Sequence, residues 1–477
     1  MITRRNVLRA GLALPLAGAS GAAAIAQSAS ASAWLYSHEL GPGAFRDDGN
    51  GHWTETTPTG APWSFQEMER NRSYITLRDA SRGMWVRLWP SYGELRQEPS
   101  TVWRRWVSGR WVAADALPPL IDYQIRLAYF IPSDRAPTPY YEDKIATLMW
   151  FVSEIYRQSL QARGYKARNL PLLMRGGKPA VALIRAPKRA AYYNNAPNYE
   201  NSTLPQLARI SDDIPAWVGN PDKQLLIVFA ETYGEEPAAV EWHGTLALGS
   251  HHSASGGIGV FSSWVLRDDL CARTVAEQRA WFFDNTPIKD HGAMSYQRPN
   301  APRHFFIEDG FGAVAHELGH ALGLPHDTRQ VDREIMAQGF RHIHWNFADP
   351  PQPEKGGMFS DENVRILMSS RYLATDLDMH DLTPPSLNVR IVGARLDTRP
   401  ATVTIEVDAS DDRGLRAAEF VCVQKDSVVG GRWLSGTRQT FREQFSIDAA
   451  LAGKVEIDTI VTDIGGNYTL KRAAWPR

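Results

Sequence analysis

The sequence predicts a multidomain chain with an α+β domain at its centre and a β-rich domain on either side. Three observations carry that expectation. At 477 residues the chain exceeds what one hydrophobic core normally organises. Residues 34–116 and 382–477 contain short runs that alternate apolar with polar, the period of a half-buried strand. Between them, strand-like runs are joined by stretches of helical spacing.

Composition is that of a soluble globular protein, with 43% hydrophobic and 22% charged residues. A formal net charge of -1 gives no reason to expect nucleic acid or an anionic membrane as partner. Two cysteines, Cys271 and Cys422, exclude a disulfide scaffold; one long-range bridge or two buried thiols both remain open.

At the N-terminus, Thr3-Arg4-Arg5-Asn6-Val7-Leu8-Arg9 leads into an apolar run over 10–26. This resembles a twin-arginine export signal, with Val7 in place of the commoner phenylalanine. Ala24-Ile25-Ala26 suits a signal peptidase. The resemblance implies that residues 1–33 are a leader and that the folded chain is exported, to the periplasm or outside the cell. No later stretch is apolar enough to span a bilayer, so no membrane span is expected in the mature chain.

Over 34–116, runs 73–77 and 84–88 alternate and read as a hairpin joined by 79–83. Trp53, Trp63, Trp85, Trp89, Trp103, Trp106 and Trp111 make this segment aromatic. A ligand-stacking module, a β-domain filled by large side chains and a propeptide all fit that pattern.

The domain expected over 117–381 opens with strict alternation from Ile121 to Ile131, a strand ending at Pro132. Ile145, Leu148, Val152, Ile155 and Tyr156 keep helical spacing, and Gly164 closes that helix. Strands follow at 180–184 and 225–229, the second apolar throughout and so buried in the sheet. Two glycine-edged segments come next, 244–253 and 256–262. His251 and His252 in the first are adjacent, which on a strand sends them to opposite faces; they are expected in an exposed loop.

Phe305-Phe306-Ile307 is expected to precede a helix near whose start Glu308 and Asp309 complement the dipole. On that helix His316 and His320, four residues apart, project from one face and can share a metal. Glu317 sits beside the first ligand and can act on water without binding the metal. Gly323 falls where the helix should stop, because glycine takes the left-handed conformation cheaply. The chain can then turn back and bring His326 in as a third nitrogen ligand. Three histidines leave the fourth tetrahedral position of Zn²⁺ open, the mark of a catalytic site.

The string from His316 to His326 resembles the zinc-binding signature of the metzincin clan of metallopeptidases. The clan's tight methionine turn fits Glu334-Ile335-Met336-Ala337-Gln338-Gly339, with Met336 as a packing base below the metal. The resemblance implies a mixed twisted sheet with one active-site helix, and an edge strand that pairs with an extended substrate. Of the two glycine-edged segments, 257–262 is the better match to that edge. Asp327 is expected either to orient a ligand imidazole or to cap the following turn. Gln338 stands where some clan families carry a tyrosine. His342 and His344 are expected at the surface. A capped helix starting at Ser360 is expected to close the domain.

Beyond Pro384-Pro385, the alternating runs 387–391, 402–407 and 455–461 resemble the immunoglobulin-like (Ig-like) β-sandwich modules appended to secreted bacterial hydrolases. The whole then implies an exported zinc endopeptidase, with Glu317 as general base and a protein, peptide or glycoprotein as substrate. The alternative is a secreted binding or adhesion protein whose β modules sit on a non-catalytic metzincin scaffold.

Overall fold

The computed structural model describes residues 32–38, 41–57, 62–114, 123–166, 169–193, 204–233, 247–252, 255–293, 298–378, 381, 383–447 and 453–476. The expected export leader therefore lies almost wholly outside the described residues. The chain divides into two compact units, one holding most of the first 117 residues and the other running on from Pro118 to Arg477.

The first unit is a closed barrel of β1 (Ser32–His38), β2 (Gly41–Gly49), β3 (His52–Thr56), β4 (Pro62–Arg70), β5 (Ile75–Asp79), β6 (Met84–Leu88), β7 (Tyr92–Gln97) and β8 (Arg104–Ala113). β8 returns to pair with β1, leaving no free edge. Alternation puts Trp34, Tyr36, Phe45, Trp53, Phe65, Ile75, Leu77, Val86 and Leu88 inside. Large rings thus fill the interior. Outside, Trp85 lies under Arg78 and Arg96, and Trp103 under Arg87 and Arg96, so the arginines cover those rings.

The second unit opens with β9 (Arg126–Ile131), α1 (Tyr141–Gln161), the short hairpin β10 (Met174–Arg175) and β11 (Lys178–Pro179), then β12 (Val181–Arg185). The first strand is shorter than its alternation predicts. Ile121 lies outside the described residues, and Tyr123 takes a positive φ of 44°, which an extended strand does not permit. Next come α2 (Ala190–Tyr193), α3 (Leu204–Asp212), β13 (Leu225–Ala230), β14 (Ala247–His252), β15 (Gly257–Ser262) and α4 (Val275–Trp281).

These strands form a five-stranded sheet in the order β12-β9-β13-β15-β14, parallel except for β14. One face packs on α1 and on α5 (Arg303–Ala321), where Leu127, Tyr129 and Ile227 meet Leu148, Val152, Val314 and Leu318. The other face is covered around Tyr193, Leu207 and Ile210. With both faces covered, β9, β13 and β15 are buried at every residue, and β13 accordingly runs apolar throughout.

Two expectations change here. The outer edge is β14 and not 257–262, because β15 pairs on both sides. His251 and His252 stand on that edge strand and not in a loop.

After α6 (Asp361–Leu367) come β16 (Ser386–Arg395), β17 (Ala401–Ser410), β18 (Leu415–Cys422), β19 (Ser427–Trp433), β20 (Arg438–Ile447), β21 (Val455–Asp463) and β22 (Tyr468–Trp475). They form one sheet in the order β16-β17-β20 and another in the order β19-β18-β21-β22. Val403, Ile405 and Val407 from the first share a core with Phe420, Ile457 and Val461 from the second, so the two sheets form a sandwich. Both cysteines are buried free thiols. Among the described residues, no helix is long and apolar enough to cross a membrane.

Candidate metal centre

Helix α5 is buried along nearly its whole length and carries His316, Glu317 and His320 in its last two turns. Its position is fixed from outside: the Tyr156 hydroxyl on α1 donates to the Ala315 carbonyl at 2.9 Å. The helix begins at Arg303, ahead of Phe305–Ile307, which lie inside it and not before it. Glu308 and Asp309 are therefore buried in its body and do not serve its dipole. Glu308 faces the ring of His344, and Asp309 lies 3.5 Å from Arg341. His344 is half-buried, not a surface group, and burial pushes its pKa down to about 4.

The end of the helix follows from Gly323. Its φ of 89° is the left-handed conformation that residues with a Cβ resist. The Gly323 amide donates to the His320 carbonyl at 2.9 Å and the Leu324 amide to the Gly319 carbonyl at 2.9 Å, the paired bonds of a Schellman turn. That turn returns the Leu324 carbonyl to within 2.8 Å of His320 Nδ1. The same residues that stop the helix thus orient its last histidine.

All three histidines converge. His320 Nε2 lies 3.1 Å from His316 Nε2 and 3.1 Å from His326 Nε2. Each Nδ1 faces an acceptor: the Ile335 carbonyl at 2.7 Å for His316, the Leu324 carbonyl for His320, and Asp426 Oδ2 at 2.6 Å for His326. With the proton held on Nδ1, the three Nε2 lone pairs point at one another, an arrangement that repels unless a cation lies between them. Nitrogens bound tetrahedrally at ~2.0–2.1 Å stand roughly 3.3 Å apart, close to what is found here. Burial pushes the His316 pKa down to about 3 and lowers that of His320, so these rings are neutral donors near pH 7. The donor set fits zinc.

Met336 is fully buried, and its turn supplies the Ile335 carbonyl to His316. A Cβ on Gly319 would stand 2.5 Å from Met336 Sδ, so the glycine lets the helix settle onto the methionine. Asp327 takes the second of its expected roles: its Oδ1 accepts from the Arg329 amide at 3.2 Å and so caps the following turn, while among the described residues it makes no hydrogen bond with a histidine. It pairs with Arg329 through both oxygens, at 2.9 and 2.6 Å, and Arg329 also reaches Glu362.

Two positions escaped the sequence. Ser250 on the edge strand β14 donates its hydroxyl to Glu317 Oε2 at 2.7 Å and so holds that carboxylate. Asp426, on the turn between β18 and β19, takes the place of Asp327 behind His326. The turn is pinned there, since the Val428 amide donates to the His326 carbonyl at 2.9 Å and the Thr328 amide to Ser427 Oγ at 2.8 Å. A cavity of about 280 Å³ opens beside His320 and is walled on one side by Ile460, Thr462, Tyr468 and Leu470 of the sandwich.

No known protein family matches the chain, and neither does any curated protein sequence. Solved structures similar to it include wild-type OgpA from Akkermansia muciniphila in two crystal forms. These have TM-scores of 0.47 and 0.48 at 15% identity, covering 74% of this chain and 92% and 91% of theirs. Catalytically inactive OgpA in complex with an O-glycopeptide substrate gives a TM-score of 0.46, also at 15% identity, covering 74% of this chain and 92% of that one. Likeness of this size leaves the chemistry to be argued from the chain's own residues.

Proposed function

We propose that this chain is an exported zinc-dependent endopeptidase of the metzincin type. The observation that carries the reading is the convergence of three Nδ1-anchored imidazoles, with Glu317 between two of them on the same helix and held by Ser250. His316, His320 and His326 would hold Zn²⁺. When bound, zinc supplies Lewis acidity, polarising a carbonyl and lowering the pKa of water toward ~7.

The chain's own residues do the rest. Glu317, ionised, accepts a proton from the attacking water as its oxygen bonds to the scissile carbonyl carbon. It then gives that proton to the amine nitrogen as the C–N bond breaks, so the carboxylate is regenerated. Ser250 is a positioning residue, because it acts through its hydrogen bond to Glu317. The edge strand β14 would pair with an extended peptide through main-chain hydrogen bonds, giving affinity with little side-chain demand. Met336 packs and does no chemistry. The sandwich, read as an Ig-like module, supplies Asp426 to the centre, and export follows from the leader.

The test is cleavage of a panel of unfolded, folded and glycosylated polypeptides by zinc-loaded protein, with Glu317→Ala run beside it. Cuts inside chains by the native protein alone support the reading. Release only of terminal residues, or no hydrolysis of any member, contradicts it. A preference for glycosylated members would narrow the substrate class.

A further inference from the structure

A second cluster of ligand-type side chains lies away from the histidines. Asp381 stands on the segment joining α6 to β16, Asp411 follows β17, and Asp463 ends β21. One carboxylate oxygen from each lies within 4.8 Å of the others. All three are buried, with exposures of 1%, 9% and 0%. Among the described residues, none of them forms an ion pair with lysine or arginine. The nearby Arg413 is engaged by Asp378 at 2.7 Å.

The hydrogen bonds account for only one oxygen of two of these groups. Asp381 Oδ1 accepts from the Thr383 amide at 3.2 Å, and Asp411 Oδ1 from the Arg413 and Gly414 amides at 2.8 and 2.7 Å. Asp381 Oδ2 and Asp411 Oδ2 are buried with no hydrogen-bond partner. Asp463 accepts from Asn467 through Oδ1 at 2.8 Å and Oδ2 at 2.9 Å. Buried carboxylate oxygens without partners carry a large desolvation penalty, and three such groups together repel one another. The cluster is also rigidly framed, because Arg371 donates to the Asp381, Gly465 and Asn467 oxygens around it at 2.5, 2.6 and 2.9 Å.

We propose that Asp381, Asp411 and Asp463 bind a calcium ion, which clasps the segment leading from α6 onto two turns of the sandwich. Three hard anionic oxygens with no nitrogen or sulfur donor suit calcium rather than zinc. Their irregular, turn-borne placement suits calcium's variable geometry better than the strict octahedron of magnesium. Calcium bound there would neutralise the mutual repulsion and occupy both unpartnered oxygens. It would also tie the zinc-site half of the unit to the sandwich that carries Asp426.

The experiment uses the full zinc-loaded chain, freed of calcium on a chelating resin and restored to its zinc content. CaCl₂ is titrated by calorimetry and equilibrium dialysis, and melting is followed with Ca²⁺ or Mg²⁺. The expected result is one Ca²⁺ per chain and a melting temperature several degrees higher. Asp381→Asn and Asp411→Asn should each lose that calcium-dependent shift. In calcium-free buffer they should melt at or above the wild type, because each removes a repelling charge. Retention of the full shift in both variants overturns the assignment, as does a response to magnesium alone. If the variants fail to fold, dialysis of the wild type still decides: no Ca²⁺ bound at ~10 mM, ten times the weakest affinity usual for extracellular modules, overturns it.

Discussion

Each imidazole of the cluster is oriented by a different part of the chain: the methionine turn for His316, the helix-ending turn for His320 and the sandwich for His326. The meeting of the three histidines was legible because helix spacing puts His316 and His320 on one face and the turn at Gly323 can bring His326 back to them. Their supports were not. Asp426 is 100 residues from His326 and Ser250 is 67 from Glu317, and a lone Asp or Ser in a turn or strand has no local pattern. Asp327, directly after the third histidine, fits an orienting and a turn-capping role equally well in the sequence; in the fold its oxygens serve the Arg329 amide and guanidinium. Two predictions belong at this scale. Asp426→Asn should weaken zinc binding by roughly 10–100-fold in a chelator competition, with Asp426→Glu recovering part of the loss. Unchanged affinity in Asp426→Asn would remove the sandwich from the metal centre. Ser250→Ala should lower kcat more than it raises KM while leaving zinc content intact, since it loosens Glu317 and no ligand.

At the scale of elements, strands with one buried face are legible in the sequence, as at β6, β17 and β21, because alternation records which side faces the core. The central sheet was harder. β13 and β15 are buried on both faces, so apolarity could not tell an inner strand from the edge, and the edge was placed one strand too far in. The start of α5 is hidden for a similar reason: it lacks a side-chain cap, and the consecutive apolar run Phe305-Phe306-Ile307 in its first turns has a strand's pattern. Its end was plain, since Gly323 carries the whole signal. Gly323→Ala forces a Cβ into the left-handed region and to 2.9 Å from the His252 ring. It should cost ~1–2 kcal/mol in denaturant unfolding and weaken zinc binding with it, because the same turn orients His320. Gly319→Ala should cost about 1–3 kcal/mol through the clash with Met336. Wild-type stability in either would show that the site is less tightly packed than described.

Across the whole molecule, buried carboxylates set a pH dependence. Burial, with repulsion from Asp327, pushes the pKa of Glu334 up to about 7, and burial, with repulsion from its acidic neighbours, pushes Asp463 up to about 6. The folded chain therefore keeps protons that the unfolded chain releases near pH ~4. Stability from these groups is full below that pH and is lost as pH rises through about 6 to 7. Melting temperature in calcium-free buffer should fall between pH 5 and pH 8, and Glu334→Gln should flatten that fall; an unaltered slope would show that Glu334 is not its source. The most direct measurement determines zinc content and peptide-bond cleavage together, for the native protein and for Glu317→Ala. About one zinc per chain is expected in both, with hydrolysis only in the native protein. A native protein that holds no zinc under saturating conditions, or a Glu317→Ala variant that cuts at the native rate, would contradict it.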